Sequence, residues 1–99
     1  MSLEGLTRAS IDRALLMCMV VDDLEKAGKI PHFNAVVAAM EKDCARNTVS
    51  RAHDILEVEG WATSEWTQRE DGKHVRRIVL TPLGLAAAAK VRGILEANP

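Results

Sequence analysis

The chain reads as a mostly helical α+β domain: a three-helix bundle, a two-stranded hairpin and a C-terminal helix. Three observations carry this reading. Apolar residues recur at helical spacing through the first half, most plainly at Phe33, Val36, Val37 and Met40. From Trp61 the pattern changes to alternation and runs into Asp71-Gly72, a strong short-range hairpin signal. Thr81 before Pro82 then marks a helix start, because threonine can cap and proline suits the first helical position.

Each element has its own local signals. The first helix is expected over residues 10–27, with Ser10 as the capping residue, Asp12 favourable in the first turn and Gly28 as the left-handed stop. It is apolar on two sides, one holding Ile11, Leu15 and Cys18 or Met19, the other Leu16, Val20, Leu24 and Ala27. A helix apolar on both sides is buried on both sides, and in so small a domain one of them is expected to meet another chain. Pro31 forces Ile30 out of helical geometry, and a second helix follows over 32–42. Asp43 and Cys44 form a turn in which Asp43 is a candidate cap for a third helix over 46–59. There Val49, Ala52, Ile55, Leu56 and Glu59 trace an inward stripe, with Asn47, Ser50, Arg51 and Asp54 outward and Gly60 as the stop. The hairpin spans 61–80, its return strand β-branched at Val75, Ile78 and Val79. The last helix is expected over 82–97 with a seam of Leu83, Ala87, Val91 and Ile94, and its alanines at 86–89 imply close helix approach.

At 99 residues the chain is expected to be one domain over 1–99, without room for a separate sensor, so any small-molecule effector must act on this domain or its oligomer. Hydrophobic content of 47% and charged content of 27% suit a soluble globular protein rather than a disordered one. The apolar run 14–21 is too short to cross a bilayer and the N-terminus does not resemble a secretion signal, so a cytoplasmic location is expected, with no membrane partner. Cys18 and Cys44 lack a close-spaced motif and are expected as buried free thiols. A net charge of −1 excludes a nonspecific polycation, but the charge is unevenly placed. The stretch 45–53 carries Arg46 and Arg51 without an acid, and 72–80 carries Lys73, Arg76 and Arg77 without one.

The order helix, helix, helix, strand, strand, helix resembles the winged helix-turn-helix, and residues 30–84 are similar to MarR-type and related bacterial and archaeal transcription-regulator domains. The resemblance rests on Arg46, Asn47, Thr48, Val49, Ser50 and Arg51 opening the third helix, Leu56 to Gly60 closing it, the Asp71-Gly72-Lys73 tip, and Leu80, Thr81, Pro82, Leu83 and Gly84 after the hairpin. It implies a homodimer reading double-stranded DNA with the third helix and a basic wing. The chain departs from the pattern at Asp43, Cys44 and Ala45, where such domains commonly have a glycine and a capping serine.

The side chains fit that chemistry on their own terms. Residues in the N-terminal half of a groove-bound helix reach base edges first. Arg46 and Arg51 can pair with guanine and Asn47 with adenine, while Thr48 and Ser50 suit a phosphate or either base. Lys73, His74, Arg76 and Arg77 can reach an adjacent minor groove or the backbone. Blander readings stand beside these. Arg51 can pair with Asp54 or Glu57 along the helix, and only one of Arg76 and Arg77 can face DNA because they alternate across the strand. His53 reads as a partly buried helix residue and Trp61 as a core plug, with Trp66 on the other strand parity. No nucleophile and base pair up at a recognisable motif and no close-spaced zinc ligands occur, so no catalytic residue, metal or cofactor is expected and the chain does not read as an enzyme. The expected dimer forms through Leu16, Val20, Leu83, Ala87, Val91 and Ile94, placing two third helices about 34 Å apart on a palindrome. The alternative is a winged-helix protein-interaction module, which acids interrupting the positive surface and an exposed Trp66 beside it would favour.

Overall fold

The computed structural model describes residues 8–97, and the segments 1–7 and 98–99, which include the stretch searched for a secretion signal, lie outside the described residues. Among these residues the chain folds into four α-helices and one two-stranded antiparallel hairpin. α1 (Arg13–Lys26) is the central post. Its cap is Asp12, whose carboxylate accepts a hydrogen bond from the Ala14 N–H at 2.8 Å, while Ser10 sits in a preceding 3-10 turn at Arg8–Ser10. The helix therefore starts three residues later than expected, because the carboxylate nearer the apolar run reaches the free backbone donors.

Ala14, Leu16, Met17, Cys18, Met19, Val20 and Val21 of α1 are all buried. α3 (Arg46–Val58) and α4 (Pro82–Ala97) both pack on this helix, so the chain itself covers the two apolar sides. That corrects the expectation that one side waits for another chain. Leu16 at 0%, Val20 at 3% and Val91 at 1% exposure belong to the protomer's own core and are not available to a dimer interface. Ala87 and Ile94 are half-buried against the same core, and of the expected seam Leu83 remains well exposed at 63%. Arg92 of α4 ties the two helices together through Asp22 at 2.8 Å and Asp23 at 2.7 Å.

α2 (Phe33–Ala39) ends three residues short of the expected boundary because the chain turns at once, the Asp43 and Cys44 N–H groups both donating to the Met40 carbonyl at 2.8 and 3.0 Å. α3 buries Val49, Ala52 and Leu56 but leaves Ile55 45% exposed and Glu59 exposed, so its inward stripe is narrower than the sequence pattern suggested. A helix that rests on one neighbour along one side covers only that side. Both α1 and α3 end on a glycine of positive φ, Gly28 at 75° and Gly60 at 72°. This conformation lets Lys29 N–H donate to Leu24 O at 2.9 Å and Trp61 N–H to Leu56 O at 2.8 Å, closing the last turns.

β1 (Ala62–Gln68) and β2 (His74–Leu80) pair from Ala62 opposite Leu80 to Gln68 opposite His74. The other edge of β2 is also held, since Ile78 N–H donates to Pro31 O at 3.0 Å and His32 bridges to Arg77. Thr81 then joins three elements: its Oγ1 donates to Gly60 O at 2.6 Å and accepts from the Gly84 N–H at 3.3 Å. The expected bounds of α4 match the observed ones. No helix among the described residues is long and apolar enough to cross a membrane.

Candidate functional site

Because side chains alternate across a strand, Ala62, Ser64 and Trp66 of β1 share one face with Ile78 and Arg76 of β2. At its base this face enters the core through Ala62 and Ile78. Farther out it opens as a cleft against α2 and α3, lined by Ser64, Trp66 and Arg76 on one side and by Phe33, Asn34, Arg46, Ser50 and His53 on the other. Among the described residues no carboxylate lines this cleft.

The two arginines at the cleft are held in similar ways. Arg46 donates from Nη2 to Asn34 Oδ1 at 3.0 Å and places its guanidinium 5.0 Å from the Phe33 ring centroid. Arg76 places its guanidinium 5.8 Å from the centre of Trp66, which is still 69% exposed. Such stacking orients a guanidinium without neutralising it, so the charge stays available. Asn47, Ser50 and Arg51 point outward from α3 and Thr48 is half-buried. Arg51 forms neither of the ion pairs open to it along the helix, and Glu57 instead lies 3.0 Å from His53 Nε2. The His53 to Glu57 approach is off the hydrogen-bonding direction, which leaves Nε2 buried without a hydrogen-bond partner.

The hairpin cations divide by face. Lys73, His74 and Arg76 are exposed. Arg77 lies on the opposite face, where its Nε donates to Glu25 Oε1 at 2.9 Å and its Nη1 lies 3.7 Å from Glu65. The hydrogen bond to Glu25, with the charges of Glu25 and Glu65, pushes the Arg77 pKa up against the opposing effect of desolvation. Arg77 is thus spent on tying the hairpin to α1, and its place among the DNA-contact candidates is withdrawn. The tip is mixed in charge, with Arg69 3.3 Å from Asp71 and Asp71 also accepting from the Lys73 N–H at 3.1 Å.

The start of α3 differs from the starts of its neighbours. Asp12 caps α1 and His32 Nδ1 caps α2, accepting from the Ala35 N–H at 3.3 Å. The residue before α3 is Ala45, which offers no side-chain cap. Asp43 does not take over, because Arg8 holds its carboxylate at 2.8 and 2.9 Å. The first backbone donors of α3 therefore have no capping side chain beside the Arg46 guanidinium.

Of the two thiols, Cys18 is fully buried and burial pushes its pKa up to about 11, whereas Cys44 is half-buried. Among the described residues no group of three His, Cys, Asp or Glu side chains stands together as metal ligands. The sequence reading missed the part played by the α2 entry. Phe33 packs against the core, as its place in the helical stripe implies, and its ring also carries Arg46, with Asn34 and His32 beside it. No local pattern announces this, since the contact joins residues 12 apart across a turn. The molecule so defined is a mostly helical α+β domain whose hairpin and third helix enclose a cationic cleft. The sequence matches no protein-family model and no curated protein.

Proposed function

We propose that this chain is a winged-helix regulator that binds double-stranded DNA sequence-specifically, with α3 in the major groove and the hairpin as a wing on the adjacent backbone or minor groove. The observation that carries the reading is the exposed polar and cationic surface of Arg46, Asn47, Ser50 and Arg51 on the uncapped first half of α3, continued by Arg76 across the cleft. Backbone N–H groups at a helix start, beside the Arg46 guanidinium that Asn34 and Phe33 hold in place, suit a DNA phosphate. Arg51, which no acid engages, suits guanine O6 and N7. Lys73 and Arg76 supply cations along the wing, with the exposed His74 ring beside them.

Two copies on a palindrome complete the reading. With Leu16, Val20 and Val91 inside the protomer, the apolar contact on the α4 side falls to Leu83 and Leu85, 63% and 49% exposed. The test is selection of bound sequences from a random duplex library, followed by fluorescence anisotropy over a salt series. The expected outcome is a paired half-site bound well below the nonspecific range of about 10⁻⁴–10⁻⁶ M. Arg51→Ala should change base preference, and Lys73→Ala should mainly flatten the salt dependence. If no sequence binds above the nonspecific level, the proposal fails.

A second reading, a protein-interaction module, draws on different observations. Trp66 is largely exposed, Asp54, Glu57 and Glu59 occupy the distal half of α3, and Glu70 and Asp71 sit at the hairpin tip. The DNA reading is preferred because none of these acids is among the described residues that line the cleft, although Glu57 reaches His53 at its inner edge.

A further inference from the structure

Contact with a duplex backbone does not account for the shape of the cleft. Its outer half, about 310 Å³, is lined by His32, Phe33, Asn34, Arg46, Trp66 and Arg76. That lies at the lower end of the range for small-molecule sites, about 300–1,000 Å³, and is far too small for a paired helix. An indole that is 69% exposed forms one wall, with a guanidinium already stacked over it.

The side-chain polar groups left over in this outer half are mainly donors. His32 Nδ1 is occupied in accepting from Ala35 N–H, so the neutral ring carries its proton on Nε2. Asn34 Oδ1 is occupied by Arg46, which leaves the amide NH₂. Arg46 and Arg76 add two guanidinium groups, and among the described residues no carboxylate lines this half beside them. A flat wall, donor-rich edges and paired cations together match a ligand that is planar, rich in acceptors and anionic. A nucleotide has all three properties, whereas an aromatic side chain of a protein partner brings no anion.

We propose that this cleft holds one unpaired nucleotide of the bound DNA, its base stacked on Trp66 and its phosphate on Arg46 and Arg76. The proposal rests on the DNA-binding reading and adds to it a preference for duplexes that carry an unpaired base. A base inside an intact duplex is stacked on both sides and cannot reach the indole. One that is bulged or mismatched has already lost much of that stacking, so moving it costs little.

The test uses the full chain and two labelled duplexes, one fully paired and one identical except for a single added unpaired adenine. Stacking on an aromatic ring should make the bulged duplex bind about tenfold more tightly and quench tryptophan emission. Trp66→Ala should abolish the tenfold difference between the two duplexes, any loss through the freed Arg76 falling on both alike, and Trp66→Phe should keep part of the difference. Both variants should melt as the parent does, because the side chain is mostly exposed. Equal affinity for the two duplexes overturns the inference while leaving the regulator reading intact. Binding of the bulged duplex alone upholds the pocket and removes the paired-duplex reading, and binding of neither removes both. Deoxyadenosine monophosphate should compete only weakly. Saturable quenching by that free nucleotide, with no preference between duplexes, overturns the proposal in favour of a soluble ligand.

Discussion

Two glycines in α4 should respond to the same substitution with opposite signs. Gly84 meets the chain just after α3, and a Cβ there would overlap the Trp61 carbonyl oxygen, at 3.0 Å from the carbonyl carbon and 3.1 Å from Leu80 Cδ2. The first obstacle is backbone, so a side-chain adjustment cannot relieve it. The start of α4 must retreat by on the order of 1 Å, at an overpacking cost of about 1–3 kcal/mol. That retreat also strains the Thr81 bonds to Gly60 O at 2.6 Å and Trp61 O at 3.0 Å. Each is worth about 1 kcal/mol. Alanine returns about 1 kcal/mol in helix propensity. The balance for Gly84→Ala is a loss of about 2–3 kcal/mol, or a fall in Tm of about 10–20 °C for a domain of this size. Gly93 has nothing within 4 Å of the same Cβ, so Gly93→Ala should keep the propensity gain. Its Tm should rise by up to about 4–8 °C. Thermal melts followed by far-UV circular dichroism measure both. A Gly84→Ala protein melting at or above the parent would refute the argument that this close approach orders the junction of α3, hairpin and α4.

Other changes separate roles that look alike in the sequence. Arg77→Ala should leave DNA affinity within about twofold and lower stability by no more than about 1 kcal/mol, since its ion pairs are partly exposed, and anisotropy with urea denaturation checks this. Asp12→Ala should cost about 1 kcal/mol in denaturant titration, whereas Ser10→Ala should be close to neutral, because Asp12 caps α1. The Cys18 thiol ordinarily ionises at 9.0 but here near 11. As pH rises past 9.0 the unfolded chain loses its thiol proton first, so stability that is complete below 9.0 should decline until about 11. Denaturant titrations of the parent and of Cys18→Ala across that range should diverge, and a parallel course would contradict the buried placement.

The elements were legible where their signals are local. Gly28 and Gly60 stop helices because the left-handed turn needs them, and Asp71-Gly72 and Thr81-Pro82 mark a hairpin and a helix start within a few residues. The competition between caps was misjudged, since Ser10 and Asp12 are both competent and their distance from the first packed turn decides. For the site, the outward placement of Asn47, Ser50 and Arg51 followed from helical period, and the division between Arg76 and Arg77 followed from strand parity. Which of the two arginines faces the cleft could not follow, because it depends on Glu25, 52 residues away.

The amino-acid sequence by itself determined the kinds and order of the elements and the faces of α3 and the hairpin, because periodicity, capping and turn chemistry act over a few residues. Tertiary structure alone decided what each face meets. It laid α4 along α1, taking Leu16, Val20 and Val91 into the core, committed Arg8 to Asp43 and Arg77 to Glu25, and set Arg46 on Phe33 opposite Trp66 and Arg76. Those pairings join residues far apart in the chain, so no window of sequence contains both partners and only packing of the whole domain brings them together.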